Sequence, residues 1–419
     1  MDVRTAALAC SIAALGAALA GCSLITDSFV TNEFSGDQYP IDVELASGAV
    51  MIGLRQDGAP DRDAVLDLLS PITIVDPGPG VPASVSQQDV LLLGGGTPRA
   101  RLENAQLVAV HPCDEDDCTV GPGTAPVPYQ AVVGADVLAG DAVRLRLGSS
   151  QVFVLPDVGG DDSDRSRACD AVFPSPYRGG GTLVIAGTEL PFGGRRVALQ
   201  TCLGANPDPG MPQSKRGADA LLVASTGIGT TILGETAYAR YRLANPAAPA
   251  LDTLPDTTVH LPSGPVSGKL ATLTSLALVA TSSSTPRAPC RQVYGSHLIL
   301  RRDCVTTDDC PCEEGATFCS IPAVVEVSAP TALDVLVVVD GDPTLQALRT
   351  ELRPDQPEVD GILGTNALRT VEVDIDYPHN RVLARCTGDG CITRPGLNAR
   401  SDRTQIQGCL GPNPVGPIF

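Results

Sequence analysis

Tryptophan is absent from this 419-residue chain, aromatic residues make up only 3% of it, and Lys215 and Lys269 are its only lysines. With 29 basic against 48 acidic side chains the formal net charge is −19. A phosphate backbone would repel such a surface, so nucleic-acid binding is excluded as the main function. Glycine and proline follow no fixed period, which excludes collagen-like and simple repeat architectures. No G-x-S-x-G elbow occurs, and no histidine stands near a plausible Ser or Cys nucleophile in sequence. There is no P-loop either: Gly94-Gly95-Gly96 lacks the lysine and the helix that a phosphate cradle needs. His111, His260, His297 and His379 are scattered singly, so Cys310-Pro311-Cys312 lacks the companion ligands of a zinc site, and no metal or cofactor is expected. The acidic clusters 114–117 and 161–164 have no EF-hand spacing and read as solvated charge. Beyond residue 20 no apolar run is long enough to span a bilayer.

What is present points to β structure. Gly 43 and Pro 36 are far too many breakers for a helical bundle but suit short strands joined by tight turns. Apolar runs such as VLVVV at 335–339 need a core to bury them, which argues against disorder throughout. Residues 41–45 and 49–54 flank Ala46-Ser47-Gly48 as a hairpin. Further strands are expected at 64–67, 71–75, 105–110, 142–147, 151–155, 182–186, 195–201, 219–224, 269–280, 322–328 and 333–340. Only 229–241 and 344–352 read as helical. The strand pattern restarts near residue 180 after a polar, Gly-rich stretch, so two lobes of similar kind are expected.

The N-terminus carries an address. Arg4 precedes an uncharged run, Thr5 to Ala20, of signal-peptide length that ends in small residues. Leu19-Ala20-Gly21-Cys22 resembles the bacterial lipobox, which implies lipidation of Cys22 and a membrane partner through that anchor. Ser23, rather than Asp, follows the cysteine, which points to the outer membrane. The expected organisation is a signal peptide over 1–21, a tether over 22–38, a first lobe over 39–157, a linker over 158–180, a second lobe over 181–395 with a Cys-rich insert at 290–319, and a tail over 396–419.

Fourteen cysteines less Cys10 and Cys22 leave twelve, an even number that suits disulfides in an oxidising compartment. Cys113 and Cys118 flank DEDD and are expected to close a small loop, with Cys169 and Cys202 as a second pair. Cys290, Cys304, Cys310, Cys312 and Cys319 crowd one segment, and Cys386, Cys391 and Cys409 another. At least one bridge is expected between those two groups.

Two matching constellations bear on function. AVLDLLSPITIV (64–75) precedes VVGADVLAGDAVRLRLGSSQVFVL (132–155), and LLVASTGIGTTILGETAY (221–238) precedes DGILGTNALRTVEVDIDYPHNRVLA (360–384). Each half thus has an apolar strand entering a tight turn and, later, a hydrophobic-hydrophobic-Gly segment: Val132-Val133-Gly134 and Ile362-Leu363-Gly364. In this the chain resembles the aspartic proteases, pepsin-like and retropepsin-like, over most of residues 40–386. The resemblance implies an all-β, two-lobed fold with few short helices, in which each lobe offers an Asp-Thr/Ser-Gly loop braced by that segment. Two carboxylates close enough to share one proton then supply base and acid. The loop threonines grip the pair in place.

Both loops depart from the pattern. In the first, Asp67-Leu68-Leu69-Ser70 keeps the acid and loses Thr and Gly. In the second, Ser225-Thr226-Gly227 keeps the turn and loses the acid. Asp219 lies six residues before Ser225, about 20 Å along a strand, and cannot replace it. The expectation is an envelope lipoprotein of degenerate catalytic pair whose cleft holds an extended peptide or an envelope partner. The alternative is an active endopeptidase with an unorthodox dyad that includes Asp67. A second carboxylate within hydrogen-bond range of Asp67 would decide between them.

Overall fold

The computed structural model describes residues 40–113, 118–138, 142–155, 180–193, 195–204, 217–279, 290, 333–351, 358–378, 380–387 and 390–391, together with the backbone of 33–35, 171–174, 177–178, 318–321, 324–332, 392–394, 397–400 and 406–408. Cys22, Cys169, Cys304, Cys310, Cys312 and Cys409 lie outside the described residues, as does the signal segment; of Cys319 only the backbone is described.

The first half supplies β1 (Glu33–Ser35), β2 (Ile41–Asp42), β3 (Glu44–Ala46), β4 (Ala49–Gln56), β5 (Arg62–Leu66), β6 (Thr73–Val75), β7 (Ser84–Gly94), β8 (Thr97–Ala109), β9 (Thr119–Pro122), β10 (Val127–Pro128), β11 (Ala131–Val133), β12 (Ala142–Arg146) and β13 (Gln151–Leu155). Between the halves lie β14 (Ala171–Pro174) and β15 (Tyr177–Arg178), then β16 (Gly181–Ile185) and β17 (Thr188–Phe192). The second half runs through β18 (Arg196–Leu203), β19 (Ala218–Ala224), β20 (Thr231–Gly234), α1 (Glu235–Ala244), β21 (Asp256–Leu261), β22 (Gly264–Val279), β23 (Phe318–Ile321), β24 (Val324–Val338), α2 (Pro343–Glu351), β25 (Gly361–Leu363), α3 (Thr365–Leu368), β26 (Val371–Asp376) and β27 (Arg381–Cys386). Three short strands follow: β28 (Cys391–Arg394), β29 (Leu397–Arg400) and β30 (Ile406–Gly408). Among the described residues no helix is long and apolar enough to cross a membrane.

Two large sheets result: one, built from the first half, runs β1-β8-β6-β11-β5-β4-β3, and the other, β10-β9-β21-β22-β18-β19-β25-β20-β24-β28, is built from the second half and extended by β9 and β10 of the first. Their central strands are buried on both faces, which is why they are apolar without alternation. In β4, Val50, Ile52 and Leu54 join the main core while Ala49 and Met51 point to a second cluster with Val65 and Val132. In β24, Val335 and Val337 face the main core while Leu336 and Val338 face another, with Ile232 and Ile362. The period of two thus divides one apolar run between two cores.

A third sheet, β14-β27-β26-β12-β13-β2, draws on both halves. Across its β12–β26 junction Arg144 grips Asp374 through Nε and Nη2 at 2.6 and 2.7 Å, and Arg146 pairs with Glu372. The main core runs continuously from Ile41 to Ala384 across this seam.

Several expectations are corrected here. The helix read at 229–241 is divided, because Thr231–Gly234 form β20 and the helix runs over Glu235–Ala244. Ile232 pairs with Ile362, and the Gly234 N–H bonds to Asp360 O, so sheet pairing overrides the local reading of this β-branched segment. The strands read at 322–328 and 333–340 are one, β24. Cys202 bonds Cys290, not Cys169. Asp219 lies opposite Cys202 in the β18–β19 register and accepts the Cys290 N–H at 2.8 Å, which delivers Cys290 to its partner. Cys113–Cys118 and Cys386–Cys391 each close a small loop. Backbone pairing joins the insert to the C-terminal segment: β23 pairs with β29 and puts Cys319 opposite Ala399. Glu33–Ser35, at the end of the segment read as a tether, pairs with β8.

Candidate functional site

The two halves repeat one crossing. β11 is inserted beside β5 in parallel and β6 antiparallel, and β25 sits the same way between β19 and β20. Asp67 follows directly on β5 and Ser225 on β19. Their N–H groups bond to the bracing segments, Asp67 to Val133 O at 3.0 Å and Ser225 to Leu363 O at 2.9 Å. The glycine that ends each bracing segment is required by close approach. A Cβ on Gly134 would lie 2.4 Å from Ile72 O, and one on Gly364 would lie 2.7 Å from the Thr230 carbonyl carbon.

The repeat extends to side chains that the sequence reading overlooked. Thr73 Oγ1 donates to Asp136 Oδ1 and accepts from Gly134 N–H, while Thr231 Oγ1 donates to Asn366 Oδ1 and accepts from Gly364 N–H. A signal was available: each threonine stands six positions after its loop residue (67 to 73, 225 to 231), and each amide or acid two positions after its glycine (134 to 136, 364 to 366). Burial raises the Asp136 carboxyl to about 6, against the lowering effect of the Thr73 hydrogen bonds and of Arg195.

The crossings bring Asp67 and Ser225 face to face. Ser225 Oγ donates to Asp67 Oδ1 at 2.8 Å, and the same oxygen accepts from Leu69 N–H at 2.9 Å and Gly227 N–H at 3.2 Å. No carboxylate is among these partners. Asp67 is 3% exposed, and burial pushes its carboxyl up, opposed by those three hydrogen bonds and by the charge of Arg196. Gly227 leaves room for the acid, since a Cβ there would sit 2.7 Å from Asp67 Cγ.

The grip is one-sided. Thr226 Oγ1 donates to Leu66 O at 2.6 Å and accepts from Leu68 N–H at 3.2 Å. Its counterpart, Leu68, has no hydroxyl to return, and is buried in the main core instead.

Beside this pair lies a cleft of about 480 Å³. Asp67, Leu69 and Val132 line it from the first half and Ile228 from the second loop, with the Leu261–Ser263 turn and α2 as further walls. Arg196 and Glu351, both lining residues unnoticed in the sequence, form a two-pronged pair at 2.8 and 2.7 Å. The turn between β21 and β22 is stitched to the first half. His260 pairs with Gly121, Gly123 N–H donates to Thr258 O at 2.8 Å, and Tyr129 Oη donates to Pro262 O at 2.9 Å. The second half therefore supplies a wall of the cleft that the first half holds in place.

No protein-family model matches the sequence, and no curated protein matches it. Among solved structures the chain is similar to the aspartic proteinase from Irpex lacteus, with 11% identity over 84% of this chain and 98% of that one and a TM-score of 0.38. It is also similar to basic 7S globulin from soybean, with 10% identity over 84% of this chain and 96% of that one and a TM-score of 0.41. On its own strand order the chain has an all-β fold with few short helices, in which two braced crossings are set loop to loop.

Proposed function

We propose that this chain is a lipid-anchored cell-envelope protein whose cleft binds an extended peptide or envelope partner without cleaving it. One observation carries the reading: the group facing Asp67 is the Ser225 hydroxyl, at 2.8 Å. Peptide hydrolysis by this fold needs one carboxylate to take a proton from water while another gives one to the carbonyl. A serine hydroxyl donates to Asp67 but does not share its proton. What remains is a single enclosed acid, its carboxyl pushed up by burial, beside apolar walls. When protonated, such an acid donates a hydrogen bond to a carbonyl of a bound chain and goes no further.

The anchor follows from Leu19-Ala20-Gly21-Cys22, and Ser23 after it favours the outer membrane. Wild-type protein and Asp67→Asn are to be incubated with a peptide library between acid and neutral pH. No cleavage is expected from either. Cleavage by the wild type that Asp67→Asn abolishes would establish the endopeptidase instead. For the anchor, wild-type protein should sediment with membranes and Cys22→Ser should not. A fully soluble wild type with an unmodified N-terminus would refute it.

A further inference from the structure

Away from the Asp67–Ser225 pair, one cluster brings together metal-ligating groups that the binding reading leaves unused. Asp76, His111, Cys113 and Cys118 meet where the chain leaves β8 and enters β9. His111 Nδ1 lies 2.8 Å from Asp76 Oδ1, an oxygen also fixed by the Gly78 N–H at 2.7 Å. With the ring proton on Nδ1, that contact is a hydrogen bond to Asp76, and Nε2 is the nitrogen that would ligate a metal. His111 Nε2 lies 3.5 Å from Cys113 Sγ, and Nδ1 lies 3.9 Å from Cys118 Sγ. The ligand atoms of His111, Cys113 and Cys118 all fall within 4.8 Å of one another.

We propose that these residues form a redox-gated zinc site: a disulfide when oxidised, and a Cys113–Cys118–His111 metal centre when reduced. The distances fit that ion. Zn–S bonds of about 2.3 Å and Zn–N bonds of about 2.05 Å at tetrahedral angles set sulfur and nitrogen about 3.6 Å apart. The observed Nε2 to Cys113 Sγ distance is 3.5 Å. The two sulfurs must separate to about 3.8 Å to bind one ion, and their Cα atoms, 5.6 Å apart, allow it. Asp76 has the place of the carboxylate that orients a ligating histidine through its other nitrogen. Among the described residues, three side chains offer ligand atoms to the ion.

The chemistry balances with a dithiol as reductant. Its two thiols give two electrons and two protons to the Cys113–Cys118 bond, which breaks into two thiols while the reductant closes its own disulfide. Zinc then displaces both thiol protons and takes the Nε2 lone pair. Either state holds the 113–118 loop closed at the entrance to β9, the strand that pairs with the cleft wall β21. The site stands or falls independently of what the cleft binds.

The test uses the full chain, reduced with a dithiol that is then removed without air, and titrated with Co²⁺ as a spectroscopic probe. Because other cysteines are also reduced, the readout is the difference between wild type and Cys113→Ser/Cys118→Ser. One equivalent of Co²⁺ should show a thiolate charge-transfer band in that difference, and it should be absent from protein kept oxidised. His111→Gln, which leaves the disulfide intact, should lose the band. Asp76→Asn should weaken binding about 10- to 100-fold. Zinc should displace the cobalt one for one. A null difference spectrum, or His111→Gln binding as wild type does, would overturn the proposal.

Discussion

Replacing Thr226 by Val removes one hydroxyl and almost no volume, and it tests how much a one-sided grip supports. In the wild type that hydroxyl donates to Leu66 O at 2.6 Å and accepts from Leu68 N–H at 3.2 Å, with Thr226 itself 0% exposed. Valine leaves a backbone acceptor and a backbone donor facing a methyl group where water does not replace the hydroxyl. An unsatisfied buried polar group costs about 1–3 kcal/mol, so the two together should cost about 2–6 kcal/mol. A symmetric pair of threonines would leave half of the grip standing; here Leu68 offers nothing in return, so the loss is complete. Thr226→Ser is the control, because it keeps the hydroxyl and loses only a methyl, for about 1 kcal/mol or less. The measurement is urea unfolding followed by far-ultraviolet circular dichroism, since the chain has no tryptophan to report. If Thr226→Val and Thr226→Ser unfold at the same denaturant concentration, the grip is not what holds the two loops together.

Asp136, raised by burial to about 6, should tie stability to acidity. Its folded value lies above its unfolded value near 4, so its contribution is complete below about pH 4 and is lost as pH rises through 6. That contribution amounts to at most about 3 kcal/mol, and Asp136→Asn, which copies Asn366 of the other lobe, should flatten this part of the stability–pH curve. Removing Cys202–Cys290, a bridge across 88 residues, should cost about 4–5 kcal/mol, roughly twice the cost of removing Cys386–Cys391 across 5; equal losses would contradict the chain-entropy account. Ser225→Asp alone should remain inactive because the first loop keeps Leu68 and Leu69. The triple change Ser225→Asp, Leu68→Thr and Leu69→Gly should give peptide cleavage at acid pH, and activity in the single variant would show that the first loop was adequate already.

Much of the frame was legible because its signals are local. Val132-Val133-Gly134 and Ile362-Leu363-Gly364 announce themselves, since an apolar pair must be buried and the next residue must lack a Cβ at each crossing. The Ala46–Ala49 hairpin is likewise written in its turn residues. β7 was missed because its first half, Ser84–Asp89, is largely polar, which leaves only the short run Val90–Leu93 to mark it. The Cys202–Cys290 bond escaped because it depends on β18–β19 register and on Asp219 holding the Cys290 N–H, neither of which spacing reveals. Arg196 and Glu351 are 155 residues apart and meet only when α2 packs by the cleft. Asp67 and Ser225 could be aligned from the sequence as counterparts, but the convergence of donors on a single oxygen of Asp67 could not.

That convergence explains how a single acid is held in this enclosed site. Burying a carboxyl is unfavourable unless hydrogen bonds compensate. Here Leu69 N–H, Gly227 N–H and Ser225 Oγ all point at Asp67 Oδ1. Deleting the carboxyl would leave the Leu69 N–H and the Ser225 hydroxyl without this acceptor, a cost comparable to that of keeping it. Ser225 fits the same logic from the other side: its hydroxyl gives a proton to Asp67 and accepts the Gly227 N–H at 3.1 Å, so the loop closes without a second charge. A second carboxylate in its place would set two like charges together and force one to hold a proton. The Asp–Ser arrangement satisfies every donor around Asp67 Oδ1 with one acid, which suits a cleft that binds better than one that cuts.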